Sequence, residues 1–559
     1  MIDRILPRAN NIMRALSALA AAFCIAHASH AQVPAEVAKP AAAPLPTLAE
    51  LEAAGAVIGE IHIRPQNIFN LDDEDENNAL FRLANRLHIP TRAPVIQSAL
   101  LFSRGEKFSR RKIEETERLL RSLQNLYDVD IRPVAYTDGV VDLEVVSRDT
   151  WTIDLTGSFS RSGGDTKSSF GIREGNLLGS GISLGLTRRS DADRSGNEVE
   201  MVYPQAFDGR TRIALLRGRF SDGKRTAFSV DRPFYSFDAR FAARAAWSDE
   251  DRIDSIYNTG NLVNEYRHHL RTGELSAGWS PGLVDGWTQR FSGGGVIDDH
   301  RYRIEPGRKP LIPLPVDSEL RGAFLRYELL EDRFVRVRNH NLIERTEFLP
   351  MGFTGRLQIT RSLDSDGVSR PDWLYAASVS KGFNPAPAQS LLLAASVARR
   401  IASTGDLLTQ GGASLRWFAP QSSQSLWYAA AFADRVSGGG VADQLLIGGT
   451  TGLRGYPARY QSGEQRVLAT MERRYYSSWY PFKLFRVGGA AFFDVGRAWG
   501  GLNQNTINGG WLADAGVGLR IALDRASFAN VFHADMAMPL NRAGDIKAVQ
   551  FTVKTELTF

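Results

Sequence analysis

Cysteine is nearly absent from this 559-residue chain: Cys24 is the only one, and it lies in an N-terminal stretch with the marks of a removable leader. The remainder can form no disulfide, build no thiolate metal site and offer no thiol nucleophile. Long apolar runs are missing as well. Beyond the leader the longest, such as Leu391 to Ala395, fall far short of the roughly 20 residues that a membrane helix needs. If the chain crosses a membrane, it does so with strands. Dense cationic blocks are also lacking. The formal charge of +5 drops to +3 once Arg4, Arg8, Arg14 and Asp3 are discounted, and no Lys/Arg run interleaved with aromatics is left to follow a phosphate backbone, which argues against nucleic acid as a partner. No His-Glu-x-x-His pattern and no Cys cluster occurs, so no metal site and no cofactor is expected.

What is present has the composition of a folded protein, with 43% apolar and 23% charged residues. Residues 1–31 carry the three arginines, an apolar run from Ala15 to Ala26 and then Ser29-His30-Ala31, the order of a cleavable secretory signal. Residues 32–54, rich in Ala and Pro, read as an extended tether. A compact α+β unit is expected over residues 55–150. Ile58 to Ile63 alternates as a strand, Asn77 to Leu87 reads as helix, and Ser109 to Leu123 places Ile113, Leu119, Leu120 and Leu123 on one helical face with Ser109 as N-cap. Two strands, Val129 to Val134 and Val140 to Val146, meet through Asp138-Gly139, a hairpin signal. The acidic run Asp72 to Glu76 lacks the spacing of a calcium loop and reads as stabilising the N-terminus of the helix that follows.

From Trp151 to Phe559 the pattern changes to segments of about ten residues alternating apolar and polar, separated by Gly, Asp, Asn and Ser, as in a transmembrane β-barrel. At about 9 to 11 residues per tilted strand, plus loops, this length predicts about 16 antiparallel strands. Five strands are expected after residue 456: Val467 to Tyr475, Val487 to Ala498, Ala513 to Leu523, Asn530 to Met538 and Val549 to Phe559. In the last, Phe551, Val553, Leu557 and Phe559 share one face, with Thr555 the exception, and the terminal aromatic fits an outer-membrane sorting signal. Tyr475, Tyr476, Trp479 and Tyr480 cluster where an aromatic girdle would sit.

One motif stands out against that repetitive background, Leu453-Arg454-Gly455-Tyr456. An arginine folded into a lumen needs acidic partners, because its guanidinium cannot shed its proton to escape desolvation. Strand parity supplies two. With Phe493 and Val495 facing outward, Phe492, Asp494 and Gly496 face inward; with Val467, Ala469 and Met471 outward, Glu472 faces inward. Adjacent strands lie about 4.8 Å apart, so an Arg454 cluster with Glu472 and Asp494 is expected.

This motif, the following Phe492-Phe493-Asp494-Val495-Gly496 and the terminal Phe559 together resemble the BamA/TamA and two-partner-secretion transporter superfamily, the bacterial surface antigen family. Asn176-Leu177-Leu178-Gly179-Ser180-Gly181 and Asp231-Arg232-Pro233-Phe234-Tyr235 resemble further segments of its barrel, and residues 55–150 resemble a polypeptide-transport-associated (POTRA) domain. The resemblance implies an outer-membrane barrel of a Gram-negative bacterium with its POTRA-like domain in the periplasm. It implies a sixth extracellular loop that folds into the lumen and carries Arg454. It also implies a role in inserting or translocating an unfolded outer-membrane or secreted polypeptide, amid outer-membrane lipid and with periplasmic accessory proteins. A dedicated exporter of one secreted passenger, or a passive pore, are the alternatives. Gly181-Ile182-Ser183-Leu184-Gly185 fits the Gly-x-Ser-x-Gly of a nucleophile elbow, but no helix pattern follows it, so no enzyme activity is expected.

Overall fold

The structure, a computed structural model, describes residues 45–557 except for 163–164, 191–193, 259–260, 311, 364–372, 403–404, 439–442, 501–508, 527–529 and 543–545. The expected leader, most of the expected tether and Phe559 lie outside the described residues. So do the side chains of Thr555 and Leu557.

The N-terminal domain begins earlier than residue 55. Thr47 caps helix α1 (Leu48–Ala53), with the Glu50 carboxylate accepting in return from the Thr47 backbone amide, and Leu51 is fully buried in the core. The capping box and one core leucine thus make a helix at the end of what the Ala/Pro content marks as tether. After β1 (Val57–Gln66) come α2 (Ala79–Leu87), α3 (Ala93–Ala99), α4 (Arg110–Arg121), β2 (Leu126–Thr137) and β3 (Val140–Asp149). The sheet order β1-β3-β2 is parallel between β1 and β3 and antiparallel between β3 and β2. Asp138 (φ 50) and Gly139 (φ 79) turn the β2–β3 hairpin with both residues left-handed, as a two-residue turn matched to strand twist requires. Ile58, Ile96, Ile113, Leu120, Leu126, Val141 and Leu143 form the core between sheet and helices. Asn78, not the acidic run, caps α2. Asp75 and Glu76 instead reach Lys483 (2.7 Å) and Arg525 (2.6 Å). Ser109 occupies the N-cap position of α4 without making a side-chain cap bond.

The rest of the chain is an antiparallel sheet curled into a barrel, from the strand Ile153–Ser162 to Gln550–Leu557, which lies beside it in the strand order. Among the described residues it comprises twenty long strands and one two-residue strand, Leu283–Val284, rather than about 16. The difference lies in the connections. Tight turns such as that between Gly405–Ser422 and Ser425–Ser437 leave more chain for strands than a generous loop allowance does. From Ile153–Ser162 round to Gln550–Leu557, each long strand is joined to the next by an antiparallel ladder.

Alternation sets the faces. Leu184, Leu215, Phe228, Leu275, Leu325, Val379, Met471 and Phe493 are exposed on the outer wall, while Glu472, Asp494, Arg520 and Asp535 are buried inside. Tyr475 and Trp479 are exposed as a girdle would have them. Tyr476, one residue out of phase, is buried in the lumen, and Tyr480 turns its hydroxyl to Asp524 (2.6 Å). Among the described residues no helix is long and apolar enough to cross a membrane.

The turns at one end of the barrel dock on the N-terminal domain. Asn176 donates to the Thr91 hydroxyl (2.9 Å), Arg210 to the Leu100 carbonyl (2.6 Å), and Tyr127 to Asp524 (3.0 Å). Arg111 pairs with Asp238, and Arg118 with Asp332 (3.3 Å). The connection between Ser318–Glu331 and Thr354–Ser362 contains its own small hairpin, Phe334–Arg338 with Thr346–Pro350.

Candidate functional site

At the opposite end, the loop between Ser425–Ser437 and Gln465–Tyr476 turns back into the lumen. Two short strands, Leu445–Ile447 and Gln461–Gly463, form its stem. Gln461 ties the stem to the wall, accepting from the Ala498 amide (2.9 Å) and donating to the Gly510 carbonyl (2.9 Å). Below the stem, Gly448 (φ 121) and Gly452 (φ 100) adopt backbone angles open to glycine. A Cβ at Gly452 would also stand 2.3 Å from the Leu468 side chain. Leu453 and Tyr456, both fully buried, pack with Ile447, Tyr460, Leu512 and Ile546. The Tyr456 hydroxyl donates to the Ala513 carbonyl (3.0 Å) and accepts from the Asn541 amide (3.3 Å). Leu453 and Tyr456 therefore flank Arg454 with apolar anchors on both sides.

Arg454 itself spends its donors on three carboxylates and a hydroxyl. Nε and Nη2 grip the two oxygens of Asp494 at 2.8 Å each, the two-pronged geometry that guanidinium provides. Nη1 reaches Glu472 (2.8 Å) and Asp535 (3.2 Å), and Nη2 also reaches the Thr470 hydroxyl (3.2 Å). The guanidinium carbon lies 3.3 Å from the centre of the Phe492 ring, so a cation–π contact closes one face of the guanidinium plane. Glu472 is shared with Arg474 (2.7 Å), and Asp535 with Arg520 (2.5 Å). Asp514 faces Asp494 across the ladder and is fully buried. Three guanidiniums thus interleave with four carboxyl groups in a space nearly closed to water. Arg474 passes the network on, donating to the His340 carbonyl (2.9 Å) in the docked-end connection.

Of the residues singled out in the sequence, the structure brings Leu453, Arg454, Gly455, Tyr456, Glu472, Phe492 and Asp494 together. A Cβ on Gly455 would come within 2.6 Å of the Asp514 Cβ, so this position admits only hydrogen. Gly496 has a similar role at the stem, where a Cβ would lie 2.7 Å from Ile447. Phe493 stands on the outer wall, and Phe551 lies exposed on the last strand with Val553 half-buried. Thr470, Asp514, Arg520 and Asp535 were missed. Parity alone could have found Asp535, because Met536 and Met538 on the same strand face outward. Ser183 opens the strand Ser183–Ser190, with no helix after it to make a nucleophile elbow.

No protein-family model and no curated protein matches the chain. Solved structures do. The chain is similar to BamA and to CdiB. BamA from Haemophilus ducreyi, crystallised without POTRA domains 1–3, matches at 13% identity and a TM-score of 0.39, covering 90% of this chain and 85% of that one. CdiB from Escherichia coli matches at 13% identity and a TM-score of 0.47, covering 90% and 77%. CdiB from Acinetobacter baumannii gives 12%, 0.44, 90% and 74%. With these TM-scores below 0.5, the functional reading rests on the chain's own geometry.

Proposed function

We propose that this protein sits in the outer membrane of a Gram-negative bacterium, its N-terminal domain in the periplasm, and inserts or translocates polypeptide through a barrel regulated by its inserted loop. The observation that carries this reading is the Arg454 cluster. A barrel that served only as a pore would gain nothing from burying three arginines and four acids on one loop and the strands around it, because ion pairing at such depth returns little net stability over an apolar core. It does fix one loop position. An ion-paired, glycine-hinged loop with a defined seat suits a machine that must hold one lumen arrangement and leave it when a client passes.

The outer wall supports membrane residence, since Leu184, Leu275, Leu325 and Phe493 would otherwise stand in water. The N-terminal domain supports client capture: its sheet order puts β1 and β2 at the edges, where an extended polypeptide can add as a further strand. The first and last barrel strands, beside one another, would be the site of lateral exit.

The test is assisted insertion. Purified protein in liposomes is offered an unfolded outer-membrane barrel, and protease-protected folded client is compared with empty liposomes and with the Arg454→Ala variant. Acceleration that is lost in the variant supports an insertion factor. No acceleration by a correctly folded wild type sinks that reading in favour of export of a dedicated passenger.

A further inference from the structure

We propose that α2 lies in the headgroup layer of the periplasmic leaflet, its leucine face among the acyl chains beside the barrel wall. The inference rests on the membrane-embedded reading of the barrel. Leu80, Leu83 and Leu87 are 59%, 49% and 64% exposed, and their spacing of three and four residues puts them on one helical face. A nine-residue helix in water has no reason to turn three leucines outward while a core is at hand.

The helix cannot roll them inward. On its other side Phe81 is 1% exposed and stacks on Phe69 with ring centres 3.8 Å apart. Ile68, Phe69 and Phe81 pack with Ala84, with Trp151 just before the first barrel strand, and with Leu484 in a barrel turn. Phe81 thus pins the helix to the base of the barrel with its leucines facing away.

The exposed apolar surface then continues without a break in chemistry. Leaving α2, Ile89 is exposed, and the next residues sit on the barrel turn 176–181: the Arg92 amide donates to the Gly179 carbonyl (3.0 Å), and a Cβ at Gly179 would lie 3.4 Å from Ile89 Cγ2. On that turn Leu177 and Leu178 are exposed, and the strands it joins carry outward Ile172 and Leu184. From the wall through the turn to the helix, the face is leucine and isoleucine. Arg82 and Arg86, exposed and one turn apart, flank the leucine face where lipid phosphates would stand. Continuity with the wall together with this paired positive charge selects phospholipid as the occupant over a second copy of the chain or a soluble partner.

The absence of cysteine beyond Cys24 makes the test clean. Leu83→Cys, with Leu87→Cys as a second site should the first not fold, carries a single environment-sensitive dye. Leu275→Cys, on the outer wall, is the reference. The full mature chain is reconstituted in phosphatidylglycerol and phosphatidylethanolamine vesicles and titrated with spin-labelled lipid and with aqueous iodide. The expected result is a blue-shifted dye on α2, quenched by lipid labelled near the headgroup and shielded from iodide. Quenching by iodide alone on α2, with Leu275→Cys still quenched by lipid, overturns the inference and leaves the barrel reading intact. Shielding from both quenchers means that protein covers the face, which also overturns it. Failure of lipid to quench either site refutes the membrane reading itself.

Discussion

In the lumen, Arg454 holds Glu472, Asp494 and Asp535 with every one of these side chains 8% exposed or less. At the junction with the N-terminal domain several pairs are wetter: Arg111 is 29% exposed, and Lys483 is 39% exposed against an Asp75 that is 70% exposed, whereas Arg118 with Asp332 and Arg525 with Glu76 are largely buried. The two regions share arginine and carboxylate and differ in water. A buried pair returns little net stability when made, because both charges were stripped of solvent, yet breaking it strands a charge. An exposed pair costs little either way. The lumen cluster is therefore a lock with one seat. The junction mixes such wet, separately weak contacts with a few buried ones, spread over many residues and not gathered on one side chain.

The comparison is sharpest at Arg454. Arg454→Ala leaves Asp494 and Glu472 without their shared cation and should cost about 3–5 kcal/mol, read as a lower temperature at which the barrel loses its compact electrophoretic form. Wild-type heat resistance in this variant would break the distinction between lock and junction. Next comes Gly455→Ala, which changes no charge. Its methyl group would press on the Asp514 Cβ at 2.6 Å and the Pro539 nitrogen at 3.0 Å, a crowding worth about 1–3 kcal/mol. The loop should release from its seat with the ion-pairing groups all present, seen as new protease sensitivity between residues 448 and 460. If the loop stays protected, charge alone holds it.

The two regions also differ in how far sequence betrays them. Parity and strand spacing place Glu472 and Asp494 beside each other because a ladder converts alternation directly into facing. The junction has no such rule. Asp75 and Glu76 look like a helix-capping run until the fold brings Lys483 and Arg525 from some four hundred residues away. Strand count was misjudged for a related reason, since alternation marks strands but says little about how short the turns between them are. The helix α1 escaped because Ala and Pro dominate its surroundings, although Thr47 and Glu50 carry its capping box in plain view.

The smallest expected effect lies at the junction, and its sign follows from burial. Glu115 and Asp332 face Arg111 and Arg118 there, and desolvation pushes both carboxyls above their ordinary range despite those cations. A carboxyl whose pKa is raised on docking is easier to bury protonated. Its contribution to docking is fully present below the ordinary carboxylate range and is lost as pH rises through the raised value. These two carboxyls are only part of a junction held by many separate contacts, so the N-terminal domain should loosen gradually rather than release. The Phe237 amide, which donates to Glu115 at 2.8 Å, reports on this directly. Its hydrogen exchange, corrected for intrinsic pH dependence, should lose protection as pH rises from mildly acidic to neutral, and Glu115→Gln should flatten that dependence. The Arg454 seat, where one guanidinium is held by three carboxylates and a hydroxyl, is the reference, and the lumen loop should stay protected while Phe237 loosens. Protection that falls in parallel at Phe237 and at the lumen loop would mean that lock and junction open together, and the coupling would then run through Arg474 and the His340 carbonyl.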